Sequence, residues 1–147
     1  MARYIATVRT SKPADETFEF LSDLRNFTDW DPGVVRSEQV EGDGPGPDAA
    51  YDVTVKNAGR ELTLRYRVTE WDPPRRMKTV AKGGLFTDIS IVEVSTDGDE
   101  TIAVYDATLK MPFPLSLADP LLRPIFNRIG DKAAGGLERA LAGRLVS

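Results

Sequence analysis

Between Val34 and Leu109 the chain is punctuated by five clusters of chain-breaking residues, at Gly42 to Asp48, Asn57 to Gly59, Asp72 to Pro74, Gly83 and Gly84, and Asp97 to Asp99. Gly, Pro, Asn and Asp supply the backbone geometry of turns, so these clusters mark off six short segments. The connections are too brief for crossover helices, which parallel neighbours need and antiparallel neighbours do not. The spacing therefore predicts an antiparallel meander. Within it, Leu62, Leu64, Tyr66 and Val68 alternate with Glu61, Thr63, Arg65, Arg67 and Thr69, the period of a strand with one buried and one wet face. Tyr51, Val53 and Val55 alternate likewise, which predicts a hairpin across Asn57 to Gly59. Asp88 to Val94 and Thr101 to Leu109 form a second hairpin around Asp97 and Gly98. Its facing stays open, because Ile89 and Ile91 compete with Ser90 and Val92, and Ile102 and Val104 with Ala103 and Tyr105.

Ahead of the meander, Tyr4, Ala6 and Val8 alternate with Arg3, Thr7 and Arg9, a strand that stops at Ser11, Lys12 and Pro13. Pro13, Asp15 and Glu16 suit a helix start, and Ala14, Phe18, Leu21, Leu24, Phe27 and Trp30 keep helical spacing until Asp31, Pro32 and Gly33 break it. This reads as two small helices ending near Trp30. Behind the meander, Asp119 is placed to cap a helix whose apolar stripe is Leu122, Phe126, Ile129, Ala133, Leu137, Leu141 and Leu145, with Pro124 either kinking it or marking its true start. A helix of about 25 residues is about 37 Å long, enough to lie across a curved sheet. The expected architecture is α+β in a single domain over residues 1–147. It is a helix-grip fold, in which a curved seven-stranded antiparallel sheet wraps a long C-terminal helix, with two short helices after strand 1.

Two stretches are open to a functional reading. Gly135 and Gly136 follow Ala133 and Ala134 in mid-helix, where each Gly costs about 0.8–1 kcal/mol relative to Ala. Either the helix packs closely there or it leaves room for a ligand. The apolar, Pro-punctuated run Met111 to Phe126 either covers the open end of the sheet or gates a pocket.

Composition removes several classes of chemistry. Lys and Arg total 19 against 23 Asp and Glu, a net charge of −4, the wrong sign for a phosphate backbone, so no nucleic-acid partner is expected. With no Cys and no His, disulfides, thiolate nucleophiles, imidazole bases and ordinary zinc or haem sites are excluded. Asp72 and Asp97 to Glu100 lack the ligand spacing of a calcium loop, and the glycine-rich stretches lack a phosphate-cradling pattern. No metal and no cofactor are expected. Met1 to Thr10 reads as a strand rather than a signal peptide, and no apolar run reaches about 18 residues, so the expectation is a cytoplasmic protein without stable membrane insertion. Arg65, Arg67, Arg75 and Arg76 suit either anionic head groups or a solvated sheet face with cross-strand acids, and the net negative charge favours the second.

The segment DLRNFTDW followed by DPG, the strand end TEWDPPRR, the late strand VYDATLKM and the helix DPLLRPIFNRIGDKAAGGLERAL together resemble the SRPBCC or START-like superfamily. More closely they resemble its bacterial polyketide cyclase/dehydrase and lipid-transport members, over essentially the whole chain. The resemblance implies a deep hydrophobic cavity for lipids, sterols, polyketides or other bulky apolar ligands, with catalysis optional. The expected cavity, on the order of a few hundred Å³, lies between the sheet and the Ala133 to Gly136 turn. Its expected lining is Phe27, Trp30, Tyr51, Val53, Leu62, Leu64, Tyr66, Tyr105, Leu109, Phe113, Phe126, Ile129, Ala133 and Leu137.

A carrier of a bulky hydrophobic small molecule is the first expectation, and a cofactor-independent polyketide cyclase or dehydratase the alternative. A protein-interaction module comes third, and a homodimer is compatible with any of them. Without His, proton transfer in the alternative falls to Tyr51, Tyr66, Tyr105, Asp88 and Asp106, none of which the family motifs assign. Core rings are the plainer reading for the tyrosines, and solvent-facing placement for Asp88 and Asp106. An inward Asp or Tyr pair within hydrogen-bond reach would favour the enzyme, and a purely apolar cavity the carrier.

Overall fold

The meander forms between the breaker clusters. In the computed structural model, which describes residues 2–57, 59–84, 86–111, 117 and 119–146, β1 (Ala2–Thr10) is followed by α1 (Ala14–Ser22), a 3-10 turn (Leu24–Asn26) and α2 (Phe27–Trp30). The six strands are β2 (Val34–Glu41), β3 (Ala50–Asn57), β4 (Arg60–Asp72), β5 (Arg76–Lys82), β6 (Thr87–Asp97) and β7 (Glu100–Lys110). Then come α3 (Asp119–Ala140) and a short β8 (Arg144–Leu145). The sheet runs β2-β3-β4-β5-β6-β7-β1-β8 and every pairing is antiparallel.

The sheet thus has eight strands where seven are expected. The extra one arises because α3 stops before Leu145. The Gly143 amide donates to the Glu138 carbonyl at 3.0 Å, Ala142 takes φ 49°, and the chain turns back to pair Leu145 with Val8. A side chain at Gly143 would overlap the Arg9 carbonyl oxygen, so only Gly lets the turn come this near β1. Leu145 therefore leaves the helical stripe and is 37% exposed. Helix α3 runs unbroken from Asp119 through Pro124.

Register decides what parity left open. Ala2, Ala6, Val8 and Thr10 of β1 are buried and pair with Leu109, Tyr105, Ala103 and Thr101 of β7. Those residues in turn oppose Asp88, Val92, Val94 and Thr96 of β6. The inner face therefore carries Asp88, Ser90, Val92 and Tyr105, while Ile89, Ile91, Ile102, Val104 and Asp106 point outward. In β4, a register shift between Val68 and Glu70 inserts an extra residue. This bulge turns Glu70 outward onto Arg76 and Trp71 inward onto Phe18, whose ring centroid lies 5.4 Å away.

Helix α1 covers β6 and β7, and α3 lies against β1 and α2. Phe18, Leu21, Leu24, Phe27 and Trp30 are buried with Tyr51, Val53, Met77, Leu137 and Leu141 in one core. The outer arginines follow the solvated reading, with Arg65 on Asp52, Arg67 on Glu41, Arg75 on Asp72, and Arg76 on Glu70 and Glu93.

Candidate functional site

Across the inner face one register row holds Tyr51, Tyr66, Ala81, Asp88 and Leu109. Ala81 is the small residue in that row, and its missing bulk lets the Tyr66 side chain reach over β5. The Tyr66 hydroxyl donates to Asp88 Oδ2 at 2.6 Å, and Ser90 Oγ donates to Asp88 Oδ1 at 3.4 Å. Ser90 Oγ also lies 3.2 Å from the Tyr105 hydroxyl. Tyr66, Asp88, Ser90 and Tyr105 thus form one polar chain across three strands of an otherwise apolar surface.

Burial pushes the Asp88 carboxyl above the usual carboxylate range, against the opposing pull of its bonds to Tyr66 and Ser90. Burial, and then the Asp88 charge, raise both the Tyr66 and the Tyr105 phenols, so each stays a neutral donor at any physiological pH.

A second interior carboxylate follows α2. Asp31 accepts the Gly33 amide at 2.9 Å, and burial pushes its pKa up to about 6; that bond opposes the shift and the Asp88 charge adds to it. Reading the sequence passed over Asp31, because Asp-Pro-Gly after a helix is ordinary stop chemistry. Its burial comes from α2 folding onto the sheet, and local sequence carries no sign of that.

Two rings of α2, Phe27 and Trp30, close over the polar chain and pack on the rings of its two tyrosines. Phe27 and Trp30 of α2 stack with centroids 4.8 Å apart, Trp30 meets Tyr105 edge-on at 5.1 Å, and Phe27 meets Tyr66 and Tyr105 edge-on at 6.4 Å each. Beneath them, among Leu21, Leu24, Phe27, Thr79, Ser90 and Tyr105, is a void of about 10 Å³. That is close to the lower limit for a single water. At the far end of the row the hydroxyls of Tyr51 and Ser37 are buried without a hydrogen-bond partner among the described residues.

Among the described residues, this void differs from the expected cavity in size and in place. The Ala133 to Gly136 turn does not leave space: a Cβ on Gly136 would overlap the Trp30 carbonyl oxygen, and one on Gly130 would overlap the Tyr4 ring. Gly130 and Gly136 serve close packing, Gly136 against α2 rather than the sheet. The enclosed space lies instead under α1, the 3-10 turn and α2. A groove of about 560 Å³ beside Gly42, Pro47 and Asp48 lies on the surface, edged by the Glu41 and Arg67 ion pair, and its charged rim does not suit an apolar ligand.

The family described as polyketide cyclase/dehydrase and lipid transport matches residues 1–142. The chain belongs to that family. Solved structures share the fold of this family member at low identity. A START superfamily protein from Mycobacterium smegmatis is 15% identical with a TM-score of 0.77, over 97% of this chain and 98% of that one. A Thermus thermophilus protein is 18% identical with a TM-score of 0.75, over 95% of this chain and 97% of that one. The di-domain ARO/CYC StfQ of the steffimycin biosynthetic pathway is 13% identical with a TM-score of 0.73, and this chain covers 50% of it, the size of one of its two domains. No curated protein is significantly similar to the chain in sequence. Among the described residues, no helix is long and apolar enough to cross a membrane.

Within this family member the residues expected to line a cavity separate by their placement. Phe27, Trp30 and Tyr105 border the void, with Tyr66 in contact with them through Phe27. Tyr51, Val53, Leu64, Ala133 and Leu137 are buried core, and Leu109, Phe126 and Ile129 are partly buried. Leu62 keeps the inward parity but is 45% exposed, because it sits near the turn that joins β3 to β4, at the periphery of the sheet. Phe113 lies outside the described residues, as do positions 112–116 and 118 of the stretch read as a gate.

Of the candidate proton-transfer groups, Asp106 is buried but lies on the face of the sheet away from the site. Arg3 holds it on the outer face with bonds of 3.0 and 2.7 Å, since β7 parity puts it opposite Tyr105. Thr79, Ser90, Met77 and Val92 border the void and were not singled out by sequence, because a serine between two isoleucines reads as outward.

Proposed function

We propose that this protein binds a bulky, largely apolar small molecule bearing a hydrogen-bonding oxygen, seated under α1 and α2 with that oxygen on the Tyr66–Asp88–Ser90–Tyr105 chain. The supporting observation is that chain itself, one polar line on an apolar inner face beneath the rings of Phe27 and Trp30. Such a surface buries a ligand's body by the hydrophobic effect and orients it through few polar contacts. The unpartnered hydroxyl of Tyr51 gives a second ligand oxygen a donor at the other end. A void of about 10 Å³ holds no such molecule, so binding selects a conformation in which α1 and α2 stand away from the sheet.

In the carrier reading, Tyr66→Phe and Tyr105→Phe each weaken binding by about 0.5–1.5 kcal/mol, the worth of one hydrogen bond, and abolish nothing. Titration with an oxygenated polycyclic aromatic probe, followed by quenching of Trp30 and Trp71 fluorescence, measures this. Absence of saturable binding, or affinity indifferent to both substitutions, would overturn the assignment.

One observation favours a second reading, a cofactor-independent cyclase or dehydratase. The Tyr66 hydroxyl sits 2.6 Å from a carboxyl whose proton affinity burial has raised, and such a pair can give and take a proton at a substrate carbonyl. On a poly-β-ketone substrate, Asp88→Asn keeps the volume and an acceptor for Tyr66 but cannot carry the proton. The enzyme reading expects turnover to fall by about 10²–10⁴ with binding nearly unchanged. Wild-type protein that binds the substrate and returns it unaltered would leave the carrier.

A further inference from the structure

The outward face of α3 departs from the rest of the surface. Positions 121, 125, 128, 132 and 139 share one side of a helix, opposite the buried Ala133, Ala134 and Leu137. Leu121 is 78% exposed and Ile125 47%, and Leu117, just ahead of the helix, is 71% exposed. Leu121 and Ile125 are one helical turn apart. Arg128, Lys132 and Arg139 continue the same side, and none of the three forms an ion pair among the described residues.

The described acidic side chains of the helix are engaged elsewhere. Asp131 accepts the Tyr4 hydroxyl at 2.6 Å, and Glu138 accepts the Leu145 amide at 2.7 Å. On a chain of net charge −4, this side of α3 is apolar at one end and basic beyond it. The sheet arginines offer no comparable surface, since Arg65, Arg67, Arg75 and Arg76 are each neutralised by an acid.

We infer that this face of α3 docks on an anionic lipid surface, with Leu117, Leu121 and Ile125 entering the acyl boundary and Arg128 and Lys132 at the head-group phosphates. The pattern suits an interface with water, where apolar tips enter hydrocarbon while long basic side chains lay their stems along it and keep their charge at the phosphates. Lys132 lies about 16 Å along the axis from Leu121, so one shallow tilt serves both ends. A second copy of the chain fits less well. Two-fold pairing through this face gathers Arg128 and Lys132 of both copies in one interface with no acidic side chain described on the face to neutralise them, a repulsion that anionic lipid replaces with attraction. Docking here is independent of what the interior binds.

Co-sedimentation of the full chain with phosphatidylcholine vesicles, and with vesicles of phosphatidylcholine and phosphatidylglycerol, tests the inference. The expected result is binding to the anionic vesicles, weakened by salt, with little binding to phosphatidylcholine alone. Arg128→Glu with Lys132→Glu should lower the partition coefficient at least about 25-fold, taking about fivefold for each lost positive charge. Leu121→Ser with Ile125→Ser should lower it about tenfold or more. Both double variants alter exposed positions, and circular dichroism should show the native fold. Equal binding to the two vesicle types, or partition unchanged by the charge reversal, overturns the inference. So does a dimer in vesicle-free buffer that Leu121→Ser with Ile125→Ser dissolves, which would give this face to a second copy.

Discussion

Gly136→Ala should unfold this protein or leave it barely stable, whereas Gly135→Ala, one residue earlier, should make it more stable. On helix propensity alone both changes gain about 0.8–1 kcal/mol, because Ala loses less backbone entropy than Gly. At Gly135 nothing opposes that gain, since the nearest atom to an added methyl is the Arg139 Nη1, 3.6 Å away at the end of a flexible side chain. At Gly136 the methyl would occupy the position of the Trp30 carbonyl oxygen. No rotamer relieves that overlap, as both partners are backbone, so α2 and α3 must separate. The loss should exceed the roughly 1–3 kcal/mol of ordinary core overpacking, a large share of a total stability of about 5–15 kcal/mol. Urea unfolding of the two variants beside the wild type measures both signs. A Gly136→Ala protein within about 1 kcal/mol of wild type would mean that α3 does not pack on α2 as described. Ala133→Leu should destabilise by about 1–3 kcal/mol, because Ala133 is 5% exposed in a packed core with no room for the larger side chain.

That contact also ties the fold to the candidate site. Helix α2 is four residues long and carries Phe27 and Trp30, the two rings over the Tyr66–Asp88–Ser90–Tyr105 chain. A single turn of helix has almost no stability of its own. What holds the rings in place is the approach of α3 that Gly136 permits.

The boundaries of the strands were legible because turn chemistry is local: the breaker clusters announce themselves without reference to anything distant. The facing of β6 and β7 was not, and the reason lies in the candidate site. Ile89, Ile91, Ile102 and Val104 look outward while Asp88 and Ser90 look inward, so the rule that apolar residues face the core fails along those two strands. It fails because Asp88 and Ser90 are partnered across strands by Tyr66 and Tyr105, and parity in one strand cannot see a hydrogen bond supplied by another. The paired glycines were legible only as an energetic cost. Which of them was needed depended on Trp30, more than a hundred residues earlier in the chain. The β4 bulge escaped for a similar reason, since an extra residue in a strand shows only against the register of β5.

Asp31→Asn should raise stability at neutral pH, and the gain should disappear in acid. The folded protein holds the Asp31 proton up to about pH 6, because burial penalises the charged carboxylate, while an unfolded chain releases it near the ordinary 3.8. Below the lower value both states are protonated and the group contributes its full stability. Between the two values the unfolded chain ionises first, so the contribution falls as pH rises, and above about 6 it is gone. That difference corresponds to at most about 3 kcal/mol. Asparagine removes this pH dependence without removing the cap, because its Oδ1 can still accept the Gly33 amide. The check is a pair of urea titrations of wild type and variant at pH 4 and pH 7. A stability difference that is the same at the two pH values would show that the Asp31 carboxylate is solvated in the folded protein. A strained carboxylate of this kind brings no structural benefit that asparagine would not bring equally. Its position in front of Asp88, whose charge pushes it further in the same direction, ties the cost to the interior where a polar ligand group would be received. If bound ligand relieves that strain by donating to Asp31, its stabilisation of the wild type should exceed its stabilisation of Asp31→Asn above pH 6 and match it below pH 4, so thermal shifts at the two pH values would place the ligand's donor at this carboxylate.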